Sequence, residues 1–300
     1  MADRLALYTT VYPGVERYLA PWWASVRAQT DRTVDLWVGV DGLTPDDLYA
    51  AIGDTPAATW VMAERGDTPA MIRQRAMEQL VERYDGVVFV DSDDVLEPSR
   101  IAAARAALAS YDVSACALRI IDEAGHDVGS VFAPPDGVDA ASILPRYNVF
   151  GLSNSAFRSD MLRRCLPVQR ECVLFDWALA ARAWGLGARM CFERTPRMRY
   201  RQHGANTARV VPPFTAEQVM RATGHVLVFY RCMDEWDAPV PAWFRDAFAA
   251  AAARATTFHA AMTRDPIVRA RYIDRLNRLT PQYVWWWCVA HPDLEDVWSH

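Results

Sequence analysis

Four consecutive residues, Asp91-Ser92-Asp93-Asp94, follow the apolar run Val87-Val88-Phe89-Val90. Two carboxylates spaced i, i+2 leave a strand end on the same side, where a loop can aim both at one hard cation. A divalent ion held there bridges to phosphate oxygens and neutralises charge building on a leaving group. The bland use of the same residues is to cap the next helix, with Asp93 or Asp94 as the cap. Position favours the chemical use, because a buried strand surfaces at Asp91. Two other predicted strand ends carry polar groups, Thr10 and Asp41, and open α/β sheets bind ligands outside the carboxyl ends of their strands.

The elements that must position these groups alternate in the first two thirds of the chain, which predicts α/β architecture with a mostly parallel sheet. Residues 5–11, 34–40, 59–63 and 86–90 are predicted strands. Helical spacing covers 16–29, 45–52 behind a Thr44 cap, 68–84, and 98–110. Residues 113–121 and 128–132 pair around the Glu123-Ala124-Gly125 turn, 149–158 is mixed, 175–184 is a helix stopped by Gly185, and 197–202 is a short strand. After Pro212-Pro213 the pattern turns helical, so a boundary is expected there, with domains 1–212 and 213–300. The second part holds six of the 12 Trp residues, densest at Trp285-Trp286-Trp287. Their bland use is to pack the appendage onto the main domain; an acceptor wall or a homo-oligomer contact are the other uses.

Composition removes whole classes of chemistry. None of the 300 residues is lysine, so all 32 basic residues are arginine. A Schiff-base lysine and a P-loop lysine are both excluded. Any cation that meets a phosphate is then Arg or a metal. A net charge of -5 gives no footprint for nucleic acid. No apolar stretch reaches the ~18 residues of a transmembrane segment. The six cysteines (116, 165, 172, 191, 232, 288) show no ligand spacing and read as reduced thiols, which predicts a cytoplasmic protein.

Val90-Asp91-Ser92-Asp93-Asp94-Val95-Leu96 is similar to the first motif of haloacid-dehalogenase-like phosphatases, where the first Asp is a nucleophile. That motif normally lies near the N-terminus and is served by a downstream lysine. The fuller resemblance is to the family 2 glycosyltransferases, of GT-A fold. There a hydrophobic strand ends in Asp-x-Asp-Asp, then an apolar residue and often Pro, as in residues 91–98. Thr10-Val11-Tyr12 looks like the family's first nucleotide-contacting segment, and Ser25-Val26-Arg27-Ala28-Gln29 like its S-[IV]-x-x-Q helix. Val40-Asp41-Gly42 corresponds to D-D-G-S and Ile72-Arg73-Gln74-Arg75 to A-R-N. Phe175-Asp176-Trp177, with Leu179, Arg182 and Gly185, resembles E-D-x-x-L-x-x-R-x-x-G. Tyr200-Arg201-Gln202-His203-Gly204-Ala205-Asn206 resembles Y-R-x-H-x-x-N. These segments keep the family order over residues 5–210. Most departures fall in the nucleotide motifs: Asp41 stands alone and Gln74 replaces the Asn; in the E-D motif Phe175 replaces the Glu, with Glu171 close by.

The resemblance implies a GT-A (Rossmann-like nucleotide-diphospho-sugar transferase) domain with a helical C-terminal extension. It implies a Mn²⁺- or Mg²⁺-dependent, inverting transfer of a sugar from a nucleotide-sugar donor, UDP-linked by preference, to a hydroxyl acceptor. Asp41 would accept the base N–H with Arg73 nearby, and Thr10 and Tyr12 would line the nucleotide pocket. Asp91 would meet the ribose or the metal, and Asp93 and His203 the metal. Asp176 would take the acceptor proton, or merely cap its helix. Arg73 has an ordinary alternative in a surface salt bridge to Glu78 or Asp67. Arg201 and Arg209 are equal candidates for assisting phosphate binding. A degenerate member that binds nucleotide or glycan without turnover is the non-enzymatic alternative.

Overall fold

The computed structural model describes residues 4–299. In chain order its elements are β1 (Leu5–Val11), α1 (Glu16–Arg27), β2 (Val34–Val40), α2 (Pro45–Ile52), β3 (Ala58–Met62), α3 (Pro69–Arg83) and β4 (Gly86–Phe89). They continue as β5 (Val95–Leu96), α4 (Arg100–Leu108), β6 (Val113–Ile121), β7 (Asp127–Phe132), β8 (Ser155–Arg158), α5 (Ser159–Cys165), α6 (Phe175–Gly185) and β9 (Met190–Arg201). The C-terminal part holds α7 (Ala216–Asp234), α8 (Ala242–Arg264), α9 (Pro266–Leu276) and α10 (Glu295–Trp298).

One sheet runs β3-β2-β1-β4-β8-β6-β9-β5, with β7 added at β6. β3, β2, β1 and β4 are mutually parallel, which brings their carboxyl ends to one edge. All seven residues of β1 and all four of β4 are buried. Strands covered on both faces read as continuous apolar runs rather than alternating ones, which is why both were visible in the sequence. Register then lines up the chemistry: Thr10 pairs with Gly39, Val11 with Val40, and Tyr8 with Phe89.

Caps fix the helices that follow. Thr44 and Asp47 form a reciprocal capping box on α2. Thr68 caps α3 ahead of Pro69, and its hydroxyl donates to the Arg170 carbonyl at 3.0 Å. Helix α3 is thereby tied to the loop that leads into α6.

Two expectations are corrected. The short strand expected at 197–202 is the twelve-residue β9, parallel to β6. Pro196 lacks an N–H and reads as a stop, yet the ladder passes it through register shifts around Ala117. The helix expected from residue 98 begins at Arg100, after the two-residue β5, with no side-chain hydrogen bond at its Ser99 cap. Neither Asp93 nor Asp94 caps a helix.

The C-terminal helices pack against α6, with the Trp177 and Phe229 rings stacked at 4.2 Å and 15°. The chain then returns to the sheet domain. Trp285 forms an isolated antiparallel bridge with Asn148, and the Trp287 indole donates to the Val210 carbonyl at 2.9 Å. No described helix is long and apolar enough to cross a membrane.

Candidate active site

The acidic turn is pinned from below by Ser92, whose hydroxyl donates to the Thr10 carbonyl of β1 at 2.7 Å. Asp91 Oδ2 accepts the Ser153 hydroxyl at 2.7 Å. Burial raises the Asp91 carboxyl above its ordinary range, Asp93 adds to this, and Arg73 opposes it. Asp93 Oδ2 takes two donors, Tyr12 Oη at 3.3 Å and His203 Nε2 at 2.9 Å. Asp94 is fully buried: Oδ1 accepts the Arg201 backbone N–H at 2.8 Å, while Oδ2 has no partner. Burial, and then the charges of Asp93 and Asp91, hold the Asp94 carboxyl well above its usual range.

These groups fit a divalent ion by the chemistry of their donors. Hard carboxylate oxygens converge with mutual repulsion and one buried oxygen unpaired. Among the described residues no three His, Cys, Asp or Glu side chains form a preformed cage. Mg²⁺-type ions commonly sit on one or two carboxylates and complete their shell with water and substrate phosphate; Asp91 and Asp93 are the pair that would hold one.

His203 is set by its own loop. The Ala205 N–H donates to Nδ1 at 3.2 Å, which places the ring proton on Nε2, where it is given to Asp93. The ring lies 5.0 Å from that of Tyr18. Arg201 is separated from Arg209 by its partners. Buried Arg201 donates to the carbonyls of Asp93 (2.8 Å) and Glu123 (3.0 Å) and stacks on Tyr18 at 4.8 Å. Its guanidinium is thus committed to holding the acidic turn, whereas Arg209 Nε is buried without a partner.

At the β1–β2 side, Thr10 donates its hydroxyl to Tyr8 Oη at 3.1 Å. Gly39 makes room for that phenol: a Cβ there would lie 2.6 Å from Tyr8 Oη. Asp41 follows β2, its N–H bound to the Val11 carbonyl at 2.9 Å. Tyr12 reaches away from Thr10 to Asp93, and burial together with Asp93 raises its phenol. The surface pairings considered for Arg73 do not form. Asp67 is taken by Arg75 at 2.8 Å and Glu78 by Gln74 at 2.6 Å. Arg73 Nε is buried and unpartnered, and its charge acts on Tyr8, Asp91 and Asp176.

Asp176 stands in the first turn of α6. The N-cap is Leu174 and no side chain caps this helix, so Asp176 is not its cap. Its Oδ2 accepts Asn148 Nδ2–H at 3.0 Å. Burial lifts the carboxyl to about 6, against the lowering pull of the Trp177 N–H and Arg73. A carboxylate so tuned can accept a proton near neutrality and is protonated below about 6.

Ser153 and Asn148, the side chains that orient Asp91 and Asp176, were not singled out in the sequence. The available signal was polar residues inside an apolar stretch: Asn148, Ser153 and Asn154 are each 0–1% exposed. A cleft of about 1060 Å³ opens at the opposite end of the sheet, beside Trp23, Arg27, Asp35 and Tyr84. Trp23 is paired there with Asp54 and Tyr84 with Asp35, and none of Asp41, Arg73, Asp91, Asp93, Asp176 or His203 lines it.

No family model and no curated protein matches the chain in sequence. Solved structures do match it in shape. Residues 1–349 of TarS from S. aureus superpose with a TM-score of 0.57 at 16% identity, over 87% of this chain and 73% of that one. The same protein in complex with UDP-GlcNAc gives 0.56 at 14%, over 88% and 74%. The mannosyltransferase PcManGT from Pyrobaculum calidifontis, in complex with GDP-Man and Mn²⁺, gives 0.55 at 14%, over 90% and 78%. At such identities the likeness is one of architecture: this chain has the GT-A fold, as the resemblance to family 2 glycosyltransferases implied.

Proposed function

We propose that this protein is an inverting, divalent-metal-dependent glycosyltransferase that moves a sugar from a nucleotide-sugar donor, by preference a UDP-sugar, to a hydroxyl acceptor. The observation that carries the reading is one edge of the sheet. An acidic turn (Asp91, Asp93) at that edge lies within electrostatic reach of Asp176 on α6, whose carboxyl burial lifts, and Arg73, with its Nε buried and unpaired, acts on Asp91 and Asp176.

In this reading Asp41 receives the N–H of the base, and Thr10, Tyr12 and Arg73 border the nucleotide. Asp91 meets the ribose or the metal. Asp93 serves the metal end; His203, expected to meet the metal, has Nδ1 taken by the Ala205 N–H and Nε2–H given to Asp93, so it acts by keeping that carboxylate aimed. A bound Mn²⁺ or Mg²⁺ supplies charge neutralisation for the departing nucleotide diphosphate. Asp176 removes the acceptor proton as that oxygen attacks the anomeric carbon. A single in-line displacement needs one base and no covalent glycosyl intermediate. The complexes of TarS with UDP-GlcNAc and of PcManGT with GDP-Man and Mn²⁺ support the substrate class. The GT-A fold argues against Asp91 as a phosphatase nucleophile. Residues 213–300 form the extension.

A thermal-shift panel of UDP-, GDP- and dTDP-sugars, with and without Mn²⁺, tests this directly. At 100 Kd a ligand adds about 2.7 kcal/mol of stability. The right nucleotide should stabilise the wild type in a metal-dependent way and leave Asp93→Asn unmoved. No response to any nucleotide diphosphate would sink the proposal. A metal-dependent response without turnover or donor hydrolysis would identify a binding protein instead.

A further inference from the structure

We propose that the Trp-rich C-terminal segment is a positioning element of the transfer site: Trp285 clamps Asn148, and Asn148 aims the Asp176 carboxylate. The inference rests on the reading of Asp176 as the base.

Asn148 is fully buried and both ends of its amide are used. Oδ1 accepts the Phe150 N–H at 2.9 Å, and Nδ2 donates to Asp176 Oδ2 at 3.0 Å. An amide has one acceptor end and one donor end, so the Phe150 N–H decides which way it points. The donor end is left to Asp176 and, at 3.3 Å, to the Phe150 carbonyl.

The backbone of Asn148 is held in turn by Trp285. The two residues exchange hydrogen bonds, Trp285 N to Asn148 O at 3.2 Å and Asn148 N to Trp285 O at 3.4 Å. Trp285 cannot drift. Its indole donates to Tyr200 Oη at 3.1 Å, and its ring lies 4.2 Å from Phe132. It also covers Gly151 so closely that a Cβ there would fall 2.4 Å from the indole. Gly151 is therefore a seat for Trp285, three residues beyond Asn148. The next tryptophan packs toward the helix that carries the base. Trp286, at φ +72°, lies parallel (2°) to Trp177, the neighbour of Asp176, at 6.4 Å. The segment thus touches both the residue that hydrogen-bonds the base and the residue beside it. Mere packing of a tail would not require a glycine seat, a backbone bridge and an oriented amide in series.

An N–H donated to a carboxylate favours its ionised form. The other charged or titratable groups facing Asp176 are Arg73 from α3, Asp91 from the acidic turn and Cys172 from the preceding loop. All three stay in place in the variants that test the idea.

Asn148→Ala removes the donor. Gly151→Ala leaves Asn148 and Asp176 chemically intact and pushes Trp285 off its seat. The first readout needs no substrate: ¹³C-carboxyl NMR titration, with the Asp176 resonance assigned by its loss in Asp176→Asn. Both variants should move the Asp176 midpoint upward. The second readout is turnover of UDP-GlcNAc and GDP-mannose with Mn²⁺. There kcat should fall about 10-fold or more, the size expected for a lost hydrogen bond to a charged group, with KM for the donor little changed. Should Asn148→Ala fail to fold, Gly151→Ala decides. An unmoved midpoint in the folded variants overturns the inference even if Asp176→Asn is inactive. Full turnover in Asp176→Asn removes the base assignment itself.

Discussion

Replacing Asp176 by Asn should inactivate the protein and stabilise it. A carboxyl lifted from its ordinary 3.8 to about 6 by burial costs free energy to ionise in the folded state. At 1.36 kcal/mol per decade the gap is worth about 3 kcal/mol, and partial solvent access to Asp176 makes about 1–3 kcal/mol the expected range. The sign follows from linkage. The folded-state value is raised, so below about pH 4 the group is protonated in both states and costs nothing. As pH rises from about 4 to 6 the unfolded chain ionises first, and folding loses stability over that window. Above about pH 6 the full cost is present. Asp176→Asn removes it while keeping an oxygen to accept the Asn148 N–H. For a chain of this size each kcal/mol moves Tm by about 2 °C. The variant should therefore melt several degrees above wild type at pH 8, and the gap should close by pH 4. Calorimetry or fluorescence melts across that range read it, alongside turnover at pH 8. A variant less stable than wild type at pH 8, or a gap independent of pH, would refute the reasoning about burial.

Two further variants probe the same site from other sides. Arg73→Gln removes a cation that opposes the rise of both Asp91 and Asp176. The acid limb of the activity profile should move to higher pH, and donor-induced stabilisation should drop; an unchanged profile would mean that Arg73 acts elsewhere. Arg201→Met strips donors from the buried carbonyls of Asp93 and Glu123. At about 1–3 kcal/mol for each orphaned acceptor, chemical denaturation should show a loss of about 3 kcal/mol or more, and a loss under 1 kcal/mol would show that water replaces the guanidinium.

Much of the scaffold was legible because its signals are local. β1, β2 and β4 are apolar runs ended by polar residues, and α2 and α3 carry Thr-Pro starts that the chain uses as caps. The gathering of Thr10, Asp41 and Asp91 at one edge followed from the parallel order alone. What stayed hidden depends on contacts between distant segments. Asn148 and Ser153 lie in a stretch with no clear period, and their partners are 28 and 62 residues away. Pro196 concealed the first half of β9, because the register shifts that tolerate it exist only once β9 is paired with the distant β6. Arg201 and Arg209 are one residue type in one segment, and only the carbonyls packed around the first tell them apart.

The two ends of the site differ in how their carboxylates are held, and the difference matches the proposed division of labour. Asp93 receives a phenol and an imidazole N–H on one oxygen and sits on a turn braced by Ser92 and Arg201. A group fixed that firmly is suited to a stationary role beside a cation and a diphosphate. Asp176 has one side-chain donor, an amide that cannot take up a proton, and a buried setting that makes its charge costly. That setting rewards protonation, which is what a base must undergo during turnover. Environments that push two carboxylates toward different tasks are how one fold runs both parts of a transfer. Here the second environment is completed from the far end of the chain, by Trp285 acting through Asn148. Unseating Trp285 by Gly151→Ala should therefore impair the proton transfer more than donor binding, with KM for the donor holding while kcat falls.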